Sequence, residues 1–385
     1  MLAFILGGVF MIKICIDARG INLYSGTGIG TYTKNVLNNI LSIDSINNYS
    51  LLWCNGDYEQ VKKKNTKIIV TGDKNSSYWS KIYIPEILNN SDFDIFHIPQ
   101  NGIDMPEIKT ATKIVTTIHD LIPYTMPETV GKGYKDKFLS QMPNIIKKSD
   151  AIITVSEFSK MDILKYFDYD PSKIFVTHLA TNKIFKPMNI NYCKAIVKER
   201  CGIVDDFILY LGGFSDRKNI KGLIKAYAAA KKDFIKYTKL LIIGNPREQQ
   251  DSISSLISQL HIENDVVFAG FVKEDELPIF YNAAVAFVYP SFYEGFGLPP
   301  LEAMSCGTPV ITSNLTSIPE IVGDAAMLIN PHNINGLRDS LIKLLSEPKI
   351  YDVLVNKGLK RASEFSWLKT AKETLNVYET ISMNK

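Results

Sequence analysis

The chain has 385 residues, of which 46% are hydrophobic and 22% charged, and its formal net charge is +3 at pH 7. This length exceeds what one hydrophobic core usually supports, so two globular domains are expected. The small net charge, together with the lack of a basic run interleaved with aromatic residues, argues against a nucleic-acid partner.

The first twelve residues are apolar and run into the first predicted strand. They are too few to span a bilayer and follow no basic segment, so neither a transmembrane helix nor a signal peptide is predicted. Because Met11 begins a plausible strand, residues 1–10 are interpreted as an upstream extension. The alternative, that they anchor the protein peripherally to a membrane surface, stays open.

Short β-like runs alternate with helical stretches along the whole chain, which predicts an α/β protein with two doubly wound parallel sheets. The linker between the two domains is predicted at 186–205, and a ligand is expected between the domains. The predicted strands are 14–16, 51–53, 68–70, 95–97, 113–118 and 151–155 in the first half, and 207–211, 239–243, 266–268, 286–288, 309–311 and 326–328 in the second.

The five cysteines are odd in number, scattered and without C-x-x-C spacing. This pattern indicates neither a disulfide framework nor a zinc site. A reducing cytoplasm is the simplest setting for such a chain.

A glycine-rich loop follows the first predicted strand and contains Gly26, Gly28 and Gly30. A dinucleotide fingerprint would need glycine at position 31, where this chain has threonine, so NAD binding is not expected. Two interpretations remain: open backbone access for a ligand, or a plain tight turn.

Asp92 and Asp94 imitate a metal-binding D-x-D pair, but they precede a predicted strand instead of following one. They are therefore interpreted as a capped loop, and no essential metal is predicted. His119 and Asp120 do follow a strand, 113–118, which places them at its carboxyl end. A lone histidine at such a position is either structural or functional.

Arg217 and Lys218 follow another predicted strand and the pair Gly212-Gly213. Two cations at the carboxyl end of a strand can compensate the charge of a diphosphate leaving group. The alternative is a solvated basic turn.

The segment 289–309 predicts strand, glycine turn and helix. Gly295 and Gly297 permit backbone conformations that other residues avoid, and Pro299 and Pro300 suit the first turn of a helix. The free N–H groups of that helix, at the carboxyl end of a parallel strand, predict a phosphate site.

Glu294 and Glu302 flank this phosphate site, although a carboxylate repels phosphate unless it has another partner. A carboxylate accepts hydrogen bonds well from the vicinal hydroxyls of a ribose or a sugar. The loop therefore favours a nucleotide sugar. The alternative is that Glu302, in the first turn, only complements the helix dipole while Glu294 is a solvated turn residue.

The spacing of the two acids resembles the E-x7-E signature of the retaining glycosyltransferases of family four, which adopt the two-domain GT-B fold. Further similarity covers roughly 12–375, in order. It is carried by Asp17-Ala-Arg-Gly20 with the loop 25–32, by Val115-Thr-Thr-Ile-His-Asp-Leu-Ile-Pro123, by Leu209-Tyr-Leu-Gly-Gly213 and by Arg217-Lys-Asn219. Within the family, the Asp-Ala-Arg and His-Asp-Leu-Ile-Pro motifs are most similar to those of bacterial mannosyltransferases of the mannosyltransferase B type.

The resemblance implies domains at 11–188 (acceptor) and 189–366 (nucleotide sugar), with 367–385 as a helix that returns to the first. It also implies a role for each candidate residue. The catalytic set is Glu294, His119, Lys218 and Arg217; the donor-binding set is Gly28, Gly213, Gly295, Phe296, Gly297, Leu298 and Glu302; Gly30, Tyr32 and Asp120 bind the acceptor or orient a loop.

These inferences predict a cytoplasmic retaining hexosyltransferase that moves mannose from GDP-mannose to a hydroxyl of a saccharide or lipid-linked acceptor, with no cofactor. Two alternatives are carried: a sugar-nucleotide epimerase of the same fold, and a non-catalytic sugar-nucleotide-binding subunit.

Overall fold

The computed structural model describes residues 11–71, 78–109, 111–244 and 250–383, except for the side chains of Trp79 and Ser80. The predicted extension at 1–10 lies outside the described residues. The chain divides into two compact units. Unit 1 contains the described parts of Met1–Pro123, Gly131–His178 and Trp367–Lys385, and unit 2 contains Tyr124–Val130 and the described parts of Leu179–Ser366.

Unit 1 is built on a seven-stranded parallel sheet in the order β3-β2-β1-β4-β5-β6-β7. Its strands are β1 (Lys13–Asp17), β2 (Asn48–Cys54), β3 (Thr66–Thr71), β4 (Ile95–Ile98), β5 (Lys113–Ile118), β6 (Ala151–Thr154) and β7 (Ile174–Val176). Its helices are α1 (Gly20–Leu23), α2 (Gly28–Ile43), α3 (Ile84–Asn89), α5 (Lys132–Lys148), α6 (Glu157–Tyr166) and α15 (Trp367–Met383), and α4 (Ile122–Thr125) straddles the division at Pro123.

Unit 2 is built on a six-stranded parallel sheet in the order β10-β9-β8-β11-β12-β13. Its strands are β8 (Asp206–Leu211), β9 (Thr238–Ile243), β10 (Val266–Gly270), β11 (Ala286–Tyr289), β12 (Val310–Ser313) and β13 (Met327–Ile329). Its helices are α7 (Ile190–Cys201), α8 (Ile220–Ala230), α9 (Gln250–Gln259), α10 (Leu277–Ala283), α11 (Leu298–Ser305), α12 (Ile318–Val322), α13 (Ile334–Ser346) and α14 (Pro348–Ser363).

The strands read as apolar runs because helices cover both faces of each sheet. In unit 2, for example, Ile208, Leu240 and Val288 of three neighbouring strands are fully buried, in one cluster with Leu223 of α8 and Leu341 of α13. The prediction of two doubly wound parallel sheets is therefore confirmed. No helix in the described parts of the chain is both long enough and apolar enough to cross a membrane.

The predicted linker at 186–205 is wrong, because α7 occupies its middle. Cys193 and Val197 on α7 are buried, and α7 packs against α10. The side-chain amide of Asn282 also accepts a hydrogen bond from the Met188 backbone at 2.7 Å. Because an alternation of charged and apolar residues can be either solvated chain or an amphipathic helix, only the available packing surface decided between the two.

Strand order reverses at one place in each sheet, between β1 and β4 in unit 1 and between β8 and β11 in unit 2. At such a point, the loops that follow the two neighbouring strands turn in opposite directions. A crevice therefore opens between them at the carboxyl ends of the strands, and ligands of doubly wound sheets bind there. In unit 2 these two loops contain Arg217, Lys218 and Glu294.

Candidate active site

The loop after β11 leads directly into α11. Gly297 caps the helix with a φ of 113°, and a Cβ atom there would lie 2.6 Å from Cδ1 of Ile318. Only glycine fits this position without a shift of its neighbour. Pro299 and Pro300 occupy the first turn, where their missing N–H groups cost no helical hydrogen bond. The predicted strand, turn and helix are confirmed, and the helix begins at Leu298.

The carboxylate of Glu294 accepts hydrogen bonds from four donors, two in the loop after β8, one at the end of β11 and one in the loop after β11. Its Oε1 accepts hydrogen bonds from Lys218 Nζ at 2.7 Å, Arg217 Nη1 at 3.0 Å, Ser291 Oγ at 2.6 Å and Tyr289 OH at 2.9 Å. All four bonds end on Oε1 and none on Oε2. The structure thus brings three of the four predicted catalytic residues into direct contact and leaves the second oxygen of the carboxylate outside this set of bonds.

The three charged side chains are only 12–15% exposed. Burial acts to raise the pKa of Glu294, but the charges of Lys218 and Arg217 outweigh it and hold that pKa at about 2. Two cations and one carboxylate give the cluster a net charge of +1. A cluster of this charge, beside the amino end of a helix, suits an anion with more than one negative charge.

The loops after β8 and β11 are also joined through their backbones. Phe292 N donates to the Arg217 carbonyl at 2.8 Å, and Arg217 Nη1 donates to the Tyr293 carbonyl at 2.6 Å. The site is therefore preorganised by bonds between two loops, and not by either loop alone.

Tyr289 and Ser291 were not predicted as site residues. Tyr289 is buried, its hydroxyl accepts a hydrogen bond from Lys218, and the Lys218 Nζ lies 4.9 Å from the centre of its ring. Their positions on either side of Pro290, five and three residues before Glu294, were the only sequence signal that could have found them.

Gly213 follows β8, and a Cβ atom there would meet no described atom within 4 Å. Its carbonyl accepts a hydrogen bond from Tyr210 OH at 2.9 Å. The neighbouring Gly212 is approached closely by Gly244, whose Cβ would lie 2.1 Å from the Gly212 carbonyl oxygen. The steric need for glycine in this region thus falls on Gly244, which the sequence analysis did not single out.

Glu302 lies in the second turn of α11, so its prediction as a first-turn residue is wrong. Among the described residues it makes no hydrogen bond to the Glu294 cluster; instead its Oε2 accepts one from Tyr281 OH at 2.9 Å. Burial raises the pKa of Glu302 to about 7. The two acids therefore differ in protonation near pH 7: Glu294 is an anion paired with two cations, whereas Glu302 has a pKa close to the pH.

His119 follows β5 in unit 1 and is 8% exposed. Its backbone N–H donates to Asn101 Oδ1 at 2.9 Å, and its Nε2 lies 2.9 Å from the Pro99 carbonyl oxygen. Because a carbonyl can only accept, Nε2 carries the proton and Nδ1 carries a lone pair in the neutral ring. Burial lowers the pKa of His119 to about 4, so the ring is neutral near pH 7.

The glycine-rich loop forms the start of α2. Thr27 caps the helix by accepting from Gly30 N at 3.3 Å, and a Cβ on Gly30 would lie 2.2 Å from the Tyr24 carbonyl oxygen. A Cβ on Gly28 would meet no described atom within 4 Å. Gly30 is thus required by close packing, whereas Gly28 is sterically open.

Tyr32 and Asp120 were predicted to bind the acceptor or to orient a loop. Tyr32 is fully buried and its hydroxyl lies 3.1 Å from Thr117 Oγ1, so it can orient its surroundings but cannot touch an acceptor. Asp120 Oδ1 accepts from Ile122 N at 3.1 Å, which stabilises the start of α4.

Asp92 and Asp94 lie at the amino ends of the unit 1 strands. Asp94 Oδ2 accepts from Lys13 N at 2.9 Å, and Asp92 pairs with the Lys13 side chain. They thus lie at the sheet edge opposite to that of His119. Within 11–71, 78–109, 111–244 and 250–383, no three His, Cys, Asp or Glu side chains are grouped as metal ligands.

Two family models match the chain. The model described as Glycosyltransferase Family 4 matches residues 55–182, and that described as Glycosyl transferases group 1 matches 203–361. O-antigen chain mannosyltransferase B of Escherichia coli is 34% identical over 272 residues, covering 70% of this chain and 71% of its own. The serotype-specific mannosyltransferase WbdA of Escherichia coli is 30% identical over 292 residues, covering 74% of this chain and 36% of its own.

Solved structures share the fold. A sucrose-phosphate synthase from Thermosynechococcus elongatus superposes with a TM-score of 0.75 at 18% identity, over 98% of this chain and 100% of its own. A glycosyltransferase from Rickettsia africae gives a TM-score of 0.72 at 16% identity, over 97% of this chain and 100% of its own. The resemblance found in the sequence is confirmed: this chain belongs to glycosyltransferase family four and has the two doubly wound units of the GT-B fold.

Proposed function

We propose that this chain is a retaining hexosyltransferase that moves mannose from GDP-mannose to a hydroxyl of a saccharide or lipid-linked acceptor during polysaccharide biosynthesis. The observation that carries the transfer chemistry is the convergence of Arg217 and Lys218 on Glu294 at the amino end of α11. The choice of mannose rests on the relatives, since mannosyltransferase B and WbdA are both named for that sugar.

The donor diphosphate is assigned to the two cations and to the backbone of 295–298. Pro299 and Pro300 have no N–H, so the donors at the start of α11 are the backbone N–H groups of Gly297 and Leu298, which suit phosphate oxygens. Ser317 Oγ lies 2.9 Å from the carbonyl oxygens of both Glu294 and Phe296, so its single hydroxyl proton can bond either one and brace this backbone. Because this loop is already ordered, binding of the phosphates does not lose the conformational entropy that ordering a flexible loop would cost.

The reaction is a front-face displacement. The bond between the anomeric carbon and the diphosphate oxygen breaks, and the acceptor oxygen bonds to the same face of that carbon. The acceptor proton passes to the departing phosphate oxygen. Charge develops on the diphosphate as its bond breaks, and Arg217 and Lys218 stabilise this charge.

The carboxylate of Glu294 is assigned to the hydroxyls of the transferred sugar through Oε2, because the described bonds use only Oε1. The family resemblance places His119 beside the donor sugar, and its Nδ1 is assigned to accept a hydrogen bond from a sugar hydroxyl. A neutral ring suits this task because it adds no charge beside the cationic, oxocarbenium-like sugar. Glu302 is assigned to the ribose hydroxyls, which donate to a carboxylate.

Glu302→Gln is expected to weaken binding of the nucleoside diphosphate about tenfold while kcat at saturating donor changes little, because the ribose contact is equal in the ground and transition states. Calorimetry of GDP binding and steady-state kinetics measure the two effects. A large fall in kcat with unchanged affinity would contradict the ribose assignment.

Glu302→Gln is expected to weaken ligand binding but to stabilise the folded protein above neutral pH. A carboxyl group whose pKa rises on folding, here from 4.5 to about 7, adds stability below its unfolded pKa and loses it as the pH rises through about 7. In urea unfolding without ligand, Glu302→Gln should match the wild type near pH 5 and exceed it near pH 8 by on the order of 1–3 kcal/mol. Glu364→Gln, at an exposed ion pair with Arg361, controls for the loss of a charge.

The proposed reaction is tested by incubating the protein with a panel of nucleotide hexoses, with and without a saccharide acceptor. We expect transfer from GDP-mannose that requires acceptor, survives EDTA and gives the α-glycoside, measured from the anomeric coupling by NMR. A change of the sugar without acceptor would indicate the epimerase, and no reaction with any donor would indicate the silent subunit. A β-linked product would exclude the front-face mechanism, and loss on chelation with rescue by manganese would exclude transfer without a metal.

We place the reaction in the cytoplasm, with peripheral contact to a membrane surface when the acceptor is lipid-linked. Four of the five cysteines are buried and all five are reduced, which suits a reducing compartment. Flotation with lipid vesicles tests the peripheral contact, and a protein that stays unbound to vesicles carrying the acceptor would exclude it.

A further inference from the structure

A chain of three hydrogen bonds runs through the core of unit 1 from the C-terminal helix to α2. Tyr378 OH lies 2.7 Å from His97 Nδ1, His97 Nε2 lies 2.8 Å from Thr117 Oγ1, and Thr117 Oγ1 lies 3.1 Å from Tyr32 OH. These four residues belong to α15, β4, β5 and α2, respectively. All four side chains are at most 1% exposed.

The chain ends at the ring of His119. The rings of Tyr32 and His119 meet edge to face, with centroids 4.8 Å apart and an interplanar angle of 88°. On its other side His119 is fixed by Pro99 and Asn101. The hydrogen bond between the Tyr32 hydroxyl and Thr117 ties one end of the tyrosine ring, and the edge-to-face contact places that ring against the imidazole.

The protonation of His97 makes this chain directional. Burial, aided by the nearby His119, lowers the pKa of His97 to about 3, so the ring is neutral and has a single N–H. One nitrogen must therefore donate and the other accept, and the hydrogen bonds on its two sides point the same way along the chain. Loss of Tyr378, His97 or Thr117 leaves a fully buried polar atom of its neighbour without its partner in this chain.

Polar side chains are unusual in the interior of a parallel sheet, where apolar residues pack at lower cost. Here one polar chain crosses two central strands and ends on a proposed catalytic residue. We propose that Tyr378, His97, Thr117 and Tyr32 are positioning residues for His119, so that the C-terminal helix supports the active site of unit 1. This inference rests on the role proposed above for His119.

Tyr378→Phe is the central test, because it removes one hydroxyl and keeps the ring. We expect kcat to fall about tenfold, the scale of losing support for a positioned group, while the donor KM and the affinity for GDP change by less than about twofold. The matched control is Tyr169→Phe, which also removes a hydroxyl of unit 1, bonded to the Ser149 carbonyl at 2.9 Å, and should keep wild-type kcat.

A purely structural role would lower the melting temperature but would not change kcat per folded molecule. NMR of protein with ¹⁵N-labelled histidine adds a direct readout: the wild type should show a protonated Nε2 at His119, and Tyr378→Phe should broaden or shift that signal. Unchanged kcat and an unchanged His119 signal in Tyr378→Phe would overturn the inference, and so would an equal fall of kcat in Tyr169→Phe.

Two further variants keep the test valid if Tyr378→Phe folds poorly. His97→Gln retains a donor and an acceptor and should keep more activity per folded molecule than His97→Leu, which retains neither; equal activity of the two would overturn the inference. His119→Ala separates this inference from the role on which it rests. If His119→Ala stays active, the catalytic role of His119 fails; if it is inactive while Tyr378→Phe has wild-type kcat, only the positioning role fails.

Discussion

Glu294→Gln is expected to abolish sugar transfer, with kcat lowered about a thousandfold or more, and yet to bind GDP at least as tightly as the wild type. The variant keeps the shape of the side chain but loses the charge. Since the carboxylate is assigned to the sugar hydroxyls, the transition state loses its anionic acceptor. Arg217 and Lys218, whose combined charge the carboxylate halves in the free protein, then act on the diphosphate with their full charge.

The free variant should also be less stable than the wild type. Removing one partner of a largely buried ion pair costs up to about 3–5 kcal/mol, because the remaining charges lose their compensation. GDP supplies the missing negative charge, so it should raise the melting temperature of Glu294→Gln more than that of the wild type. Kinetics, calorimetry and thermal unfolding measure the three effects, with Glu364→Gln as the exposed control. Turnover within about tenfold of the wild type would exclude the sugar-binding role of Glu294.

Lys218→Ala is expected to lower kcat about a hundredfold or more, the scale of losing one preorganised group that stabilises charge in a transition state. The donor KM should change much less, because the diphosphate gains its additional charge only as the glycosidic bond breaks. Lys218→Met should behave in the same way, since it keeps apolar packing over the Tyr289 ring but not the charge.

Lys221→Ala is the matched control for Lys218. Lys221 lies three residues further on, is 40% exposed and pairs with Asp216 at 3.5 Å. Its loss should leave kcat unchanged, because exposed ion pairs contribute little. Equal effects of the two lysine variants, or a Lys218→Ala effect confined to KM, would show that Lys218 binds the donor without stabilising the leaving group.

The sequence by itself determined the two doubly wound sheets and the core of the site. Apolar runs between glycine and proline specify buried strands locally, and the run 289–309 specifies its own turn because Gly297, Pro299 and Pro300 each restrict the backbone at one position. Arg217 and Glu294 could be predicted as site residues since each follows a strand closely, and parallel strands bring their carboxyl ends to one edge of a sheet.

The tertiary structure alone decided which partners these residues have. Lys218 and Glu294 are 76 residues apart in the sequence, and His97 and Tyr378 are 281 apart. Glu302 was predicted as a first-turn acid, but it is in the second turn and its pKa is set by burial next to Tyr281. Local backbone preference fixes a turn or a strand from a few neighbouring residues. Desolvation and hydrogen-bond pairing depend instead on which distant side chains the packed core brings within about 3 Å, and no local pattern records that distance.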